Sequence, residues 1–119
     1  MSEAVKIYHN PRCSKSRETL SLLQSNGVEP EVVLYLDTPA DATTLRQLLK
    51  MLGMTSAREL MRQKDDLYKA LNLADSNLTE AQLIQAMVEN PKLMERPIVV
   101  ANGQARIGRP PEQVLDIVR

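Results

Sequence analysis

Val5-Lys6-Ile7-Tyr8-His9-Asn10-Pro11-Arg12-Cys13-Ser14-Lys15-Ser16-Arg17 carries the chain from an apolar run through a polar loop towards a helix. Val5 to Tyr8 reads as a first strand. The helical run covers Glu18 to Asn26, with Leu20 and Leu23 on one face and Asn26-Gly27 as its stop. Glu31 to Leu36 (Glu-Val-Val-Leu-Tyr-Leu) is β-branched and nearly continuously apolar, the pattern of a strand buried on both faces. Strand, helix and strand in so short a span imply a right-handed parallel βαβ unit.

Cys13 is the only cysteine of the chain, and it falls at the strand-to-helix junction. A thiol there faces the first free N–H groups of a helix, with Arg12, Lys15 and Arg17 close in sequence. Both features favour the thiolate, the reactive form. A lone cysteine in a small protein is more often inert packing. The polar surroundings, Ser14 and Ser16 included, favour a nucleophile instead.

Downstream, Leu45, Leu48, Leu49 and Leu52 follow the helical i, i+3, i+4, i+7 spacing and stop at Gly53. A short helix is expected over 56–63, and 64–78 is less regular. Thr79 to Gln82 makes a capping box, Leu83, Ile84, Met87 and Val88 form a buried stripe, and Asn90-Pro91 ends the helix. Ile98 to Ala101 and Gln104 to Ile107 flank Asn102-Gly103, a strong hairpin signal. A last helix carries Val114, Leu115 and Val118. The order βαβ, helices, ββα predicts one α/β domain over 1–119. It resembles the thioredoxin-like fold: a four-stranded mixed sheet, with a helical insert at about 40–95 between its two halves.

Composition narrows the function. The 15 basic and 15 acidic residues balance, so no global field draws the chain to nucleic acid or an anionic membrane. With no Trp or Phe and three Tyr, the core is aliphatic and a base-stacking surface is not expected. No run approaches the roughly 20 apolar residues of a membrane span. A single cysteine, with no apolar signal core at the N-terminus, fits a reducing, cytoplasmic setting.

A thiol catalyst needs a lowered pKa, a seat for substrate charge and a route to reset its sulfur. Ser14 and Ser16 could hydrogen-bond the sulfur, although a helix cap is an equally good reading of Ser16. Arg62, Arg96 and Arg109 are candidates for bidentate binding of a tetrahedral oxyanion. Taken singly, each arginine is more often a solvated surface residue, and spacing cannot show that they converge. Pro97 starts a strand, where an ordinary trans bond is commoner; the fold reverses that expectation, because thioredoxin-like sites place a cis-proline beside the thiol. His9, the sole histidine, could orient the loop or help lower the thiol pKa. One Cys and one His without clustered carboxylates make no metal site. A Cys-x-x-Cys dithiol is excluded, and so is a Cys-x5-Arg phosphatase loop, because Thr19 stands where the arginine is required.

The chain resembles the arsenate reductase family of the glutathione- and glutaredoxin-dependent type, closest to its short enterobacterial chromosomal members. The likeness rests on Ile7-Tyr8-His9-Asn10-Pro11 with Cys13, Ser16-Arg17, Tyr35-Leu36-Asp37-Thr38-Pro39, Leu60-Met61-Arg62, Arg96-Pro97-Ile98-Val99-Val100 and Arg109-Pro110. It implies that Cys13 forms a thiol–arsenate adduct, that Arg62, Arg96 and Arg109 hold the oxyanion, and that His9 and Ser16 tune the thiolate. It further implies glutathione as co-substrate, glutaredoxin as partner and no bound cofactor. Two other functions remain: a thiol-dependent reductase or deglutathionylase acting on another substrate, and a non-enzymatic redox or transcription regulator of the same fold. Redox-sensing regulators of this type use a Cys-x-x-Cys switch, which Ser16 interrupts here.

Overall fold

Four strands form one sheet in the order β2-β1-β3-β4 in the computed structural model, which describes residues 5–118. They are β1 (Lys6–Tyr8), β2 (Glu31–Val33), β3 (Ile98–Ala101) and β4 (Gln104–Ile107). β1 runs parallel to β2 and antiparallel to β3, which pairs antiparallel with β4. The mixed, thioredoxin-like sheet expected from sequence is therefore present. Helix α1 (Ser14–Ser25) links β1 to β2, so the first half is a parallel βαβ unit.

β2 departs from the expectation in length and burial. It stops at Val33 and turns over Leu34 to Asp37, where the Asp37 and Thr38 N–H groups both donate to the Leu34 carbonyl. Val32, Leu34 and Leu36 are exposed, while Tyr35 is fully buried. The reason is topological: β1 lies between β2 and β3, which leaves β2 at an edge with a neighbour on one side only. An apolar run alone does not distinguish an edge strand from a central one.

Contacts divide the chain into two units, one of residues up to Thr38 with Arg96 onward, the other Pro39–Glu95. The core of the sheet unit is Ile7, Leu23, Val99, Ala101, Val114 and Ile117, with Leu20, Val28 and Val118 packed against it. Each large aliphatic side chain buried there contributes about 1.5–3 kcal/mol. Ile117 replaces Leu115 as the inward residue of the C-terminal segment, because a 3-10 turn over Pro111–Val114 precedes α5 (Leu115–Val118) and resets the phase. Asn102 and Gly103, with φ of 54° and 74°, close the β3–β4 hairpin in the left-handed conformation that Asn-Gly supplies at little cost.

The other unit is helical, with α2 (Ala42–Leu52), α3 (Asp66–Ala70) and α4 (Glu80–Glu89). Asp41 caps α2, and a left-handed Gly53 ends it. The capping box of Thr79 and Gln82 forms as expected, and Leu83, Ile84 and Met87 are buried. Over 56–63 the helix shortens to one 3-10 turn, Ala57–Leu60. Glu80 fastens that turn to the start of α4, accepting from the Ala57 N–H at 2.8 Å and the Ser56 hydroxyl at 2.8 Å. Among the described residues no helix is long and apolar enough to cross a membrane.

Candidate active site

The loop leaving β1 is held by its own polar groups. The Cys13 N–H donates to the Asn10 carbonyl at 3.0 Å, and the Arg12 N–H donates to Asn10 Oδ1 at 3.0 Å. The Asn10 N–H in turn donates to Ser16 Oγ at 3.0 Å, and Ser16 Oγ lies 2.6 Å from His9 Nδ1. His9, Asn10 and Ser16 are all buried. Ser16 Oγ accepts from the Asn10 N–H and keeps one lone pair and its hydrogen, so the imidazole tautomer sets the direction of the bond with His9 Nδ1.

Burial pushes the His9 pKa below its ordinary value. A histidine that resists protonation when folded binds fewer protons than in the unfolded chain, so stability rises with pH. This contribution is complete above the unfolded value of about 6.5 and is lost as pH falls from there through the lowered folded value. Urea unfolding at about pH 7.5 and about pH 5.5 should therefore find the protein weaker in acid. In His9→Asn, which keeps an acceptor but does not titrate, this part of the difference should vanish.

Helix α1 begins at Ser14, four positions before the expected Glu18, with Cys13 as its N-cap. Ser14 to Arg17 carry no apolar periodicity, so the first turn was not legible as helix. Ser16 therefore lies inside the first turn and is not the cap. Cys13, partly exposed, makes no side-chain capping bond of its own. Its sulfur is met instead by the surrounding groups. Burial raises the thiol pKa, but the N–H dipoles of Ser16 and Lys15 at the start of α1 and the Arg96 guanidinium bring it below that of an ordinary thiol. The nearby cations suggested by sequence do not act this way. Arg12, Lys15 and Arg17 are exposed, Lys15 pairs with Glu18 at 3.5 Å, and none of their side chains is among the groups lowering the thiol.

Two distant arginines reach the sulfur. Arg109 Nη2 lies 3.8 Å from Cys13 Sγ, while its Nε donates to the Arg96 carbonyl at 2.9 Å. Arg96 Nε is buried without a hydrogen-bond partner. Both Arg96–Pro97 and Arg109–Pro110 are cis, the first expected from the fold and the second not foreseen. Gly108 precedes Arg109 at the end of β4, and its N–H donates to the Pro97 carbonyl at 2.9 Å. A Cβ on Gly108 would overlap Thr19 Oγ1 and stand 2.9 Å from Pro97 Cγ. Thr19 is fully buried on α1, with its hydroxyl donating to the Lys15 carbonyl at 2.8 Å. The missing side chain lets α1 approach the segment that carries Arg109.

Arg62 belongs to the helical unit. Its N–H donates to the Leu93 carbonyl at 2.7 Å, beside the Met61–Met94 bridge. Its guanidinium is held by Asp65 at 3.1 Å and faces Glu95 at 3.6 Å. Thus Cys13, Arg96 and Arg109 come together in the sheet unit with His9, Ser16 and Pro97, and Arg62 is fixed by carboxylates of its own unit. From sequence alone Asn10, Thr19 and Gly108 carry no expected role in the site. Asn10-Pro11 did carry a turn signal that could have drawn attention to Asn10.

The site is thus a cysteine at a helix N-terminus, with Arg109 Nη2 3.8 Å from its sulfur and Arg96 lowering its pKa, both arginines preceding cis-prolines. The chain belongs to the ArsC family, whose model matches residues 8–117. It is 83% identical over 118 residues, 99% of both chains, to the uncharacterized protein YfgD of Escherichia coli K12. It is 54% identical, over 92% of this chain and 94% of the other, to an arsenate reductase of Neisseria meningitidis serogroup A. A solved structure of an arsenate reductase from Vibrio cholerae superposes with a TM-score of 0.95 at 56% identity, covering 98% of this chain and 99% of that one.

Proposed function

We propose that this protein reduces arsenate to arsenite at Cys13. The observation that carries the reading is the pair of arginines at the thiol: Arg109 Nη2 at 3.8 Å from the sulfur, and Arg96, which lowers the thiol pKa and has a buried Nε without a partner. A buried donor without an acceptor costs about 1–3 kcal/mol, and an oxyanion oxygen would remove that cost. The names of the Neisseria and Vibrio relatives support arsenate as the oxyanion.

In this mechanism the Cys13 thiolate attacks arsenic, a sulfur–arsenic bond forms and an oxygen leaves as water after protonation. A second thiol is needed, and the chain holds no other cysteine. Glutathione supplies it. The two sulfurs end as a disulfide and release two electrons, which take arsenic from the +5 to the +3 state. Glutaredoxin returns the disulfide to thiols. Arg96 and Arg109 hold the oxyanion, and the family resemblance assigns Arg62 the same role. Ser16 acts on the thiolate through its backbone N–H, while its hydroxyl and His9 hold the loop. Neither a metal nor a bound cofactor enters these steps, and the thiol chemistry suits a reducing cytoplasm.

The test is arsenite formation from arsenate with glutathione, glutaredoxin, glutathione reductase and NADPH. Turnover should stop when either glutathione or glutaredoxin is left out. Reduction of a glutathionylated peptide with no arsenite formed would reassign the site to thiol chemistry on another substrate.

A further inference from the structure

Asn10 is buried in the loop, yet no step of the reduction uses any of its atoms. Its carbonyl receives the Cys13 N–H, its Oδ1 receives the Arg12 N–H, and its own N–H goes to Ser16 Oγ. We infer that Asn10 is a positioning residue, whose side-chain oxygen holds the 10–13 turn closed and so keeps the Cys13 sulfur at the start of α1 and against Arg109. The inference rests on the reading of Cys13 as the nucleophile.

The physical case starts from what the first turn of α1 lacks. Its N-cap, Cys13, makes no side-chain capping bond, so the cap does not itself fix how the chain enters the helix. The turn before it must do so. Pro11 has no N–H, which leaves Arg12 as the one N–H donor between Asn10 and Cys13. Asn10 Oδ1 takes that donor at 3.0 Å, closing an Asx turn inside the backbone turn from Asn10 to Cys13. Without this oxygen nothing holds the Arg12 N–H, and the turn keeps only the Cys13-to-Asn10 backbone bond and the bond from the Asn10 N–H to Ser16 Oγ. Cys13 is extended, with φ −95° and ψ 124°, and a rotation about its backbone would carry the sulfur away from Arg109 Nη2, now at 3.8 Å, and from the start of α1. The acceptor must stand two bonds beyond Cβ or nearer. Alanine has none, and glutamine places its oxygen one methylene too far.

The test reads the pH dependence of iodoacetamide alkylation, which is specific because Cys13 is the only cysteine. Parent, Asn10→Ala and Asn10→Ser are compared, with urea unfolding measured on each. Asn10→Ala should raise the midpoint by about one pH unit, seen as ~10-fold slower alkylation below both midpoints. Asn10→Ser, which restores a short acceptor, should recover most of that shift even where its unfolding midpoint is no better than that of the alanine variant. Should Asn10→Ala not fold, Asn10→Gln carries the same expectation. A parent midpoint unchanged in the alanine or glutamine variant would overturn the role of Asn10, as would serine shifting it as far as alanine. A parent midpoint at the ordinary thiol value would instead overturn the nucleophile reading beneath it.

Discussion

Cys13→Ser is expected to lose arsenate-dependent turnover by about three orders of magnitude or more, the scale on which removal of a covalent nucleophile acts. The hydroxyl stays protonated at neutral pH, so the N–H dipoles at the start of α1 and the Arg96 guanidinium have no thiolate to stabilise. Oxygen also cannot take the place of sulfur as one of the two centres that release electrons to arsenic. The fold should not suffer. Cys13 is the N-cap of α1 and makes no capping bond, whereas serine is among the best N-caps, with replacement by alanine costing about 1 kcal/mol. The variant should therefore unfold at the parent's urea concentration or above it while forming no arsenite. Loss of both activity and stability would point to a packing role for the cysteine.

Arg96→Lys has the second largest expected effect, because the substitution keeps the charge and removes the geometry. The guanidinium lowers the thiol pKa, and its Nε is buried without a partner. Lysine has no Nε–H at that place and cannot offer a planar fork to two oxygens. A hydrogen bond to a charged group is worth about 1.5–3 kcal/mol, so the arsenate KM should rise by about 10- to 100-fold. The Cys13 alkylation midpoint should also move upwards, since the guanidinium that lowers the thiol pKa is lost. Arg12→Lys is the control: Arg12 is exposed and its side chain is not among the groups that lower the thiol. Steady-state kinetics and alkylation of the two variants check the contrast. A KM unchanged by Arg96→Lys would remove bidentate recognition from Arg96.

Sequence carried the fold because its local signals were strong and agreed with one another. Asn102-Gly103 set the hairpin, Thr79 with Gln82 set the start of α4, and Gly53 set the end of α2. What escaped depended on who neighbours whom. Val32, Leu34 and Leu36 look like a buried strand, and their exposure follows from the edge position of β2. The site shows the same division. Cys13 was legible from the strand–loop–helix junction, but the cations near it in sequence are exposed. The groups at its sulfur arrive from 83 and 96 positions away, as Arg96 (96 − 13) and Arg109 (109 − 13). Ser16 was legible as polar and close to the thiol. Only the structure separates its hydroxyl, bonded to His9 and Asn10, from its N–H, which faces the sulfur. Gly108 gave no signal, because its lack of a side chain matters only against Thr19 and Pro97.

The most direct test of the central claim, that the Cys13 sulfur and its arginines form the arsenate site, is protection of Cys13 from alkylation by arsenate. The rate of iodoacetamide modification would be followed near neutral pH, without glutathione, over a series of arsenate concentrations. Arsenate is predicted to slow the modification saturably, and the protection should weaken in Arg96→Lys. An alkylation rate independent of arsenate, up to concentrations that saturate arsenite formation, would place arsenate elsewhere and contradict the account.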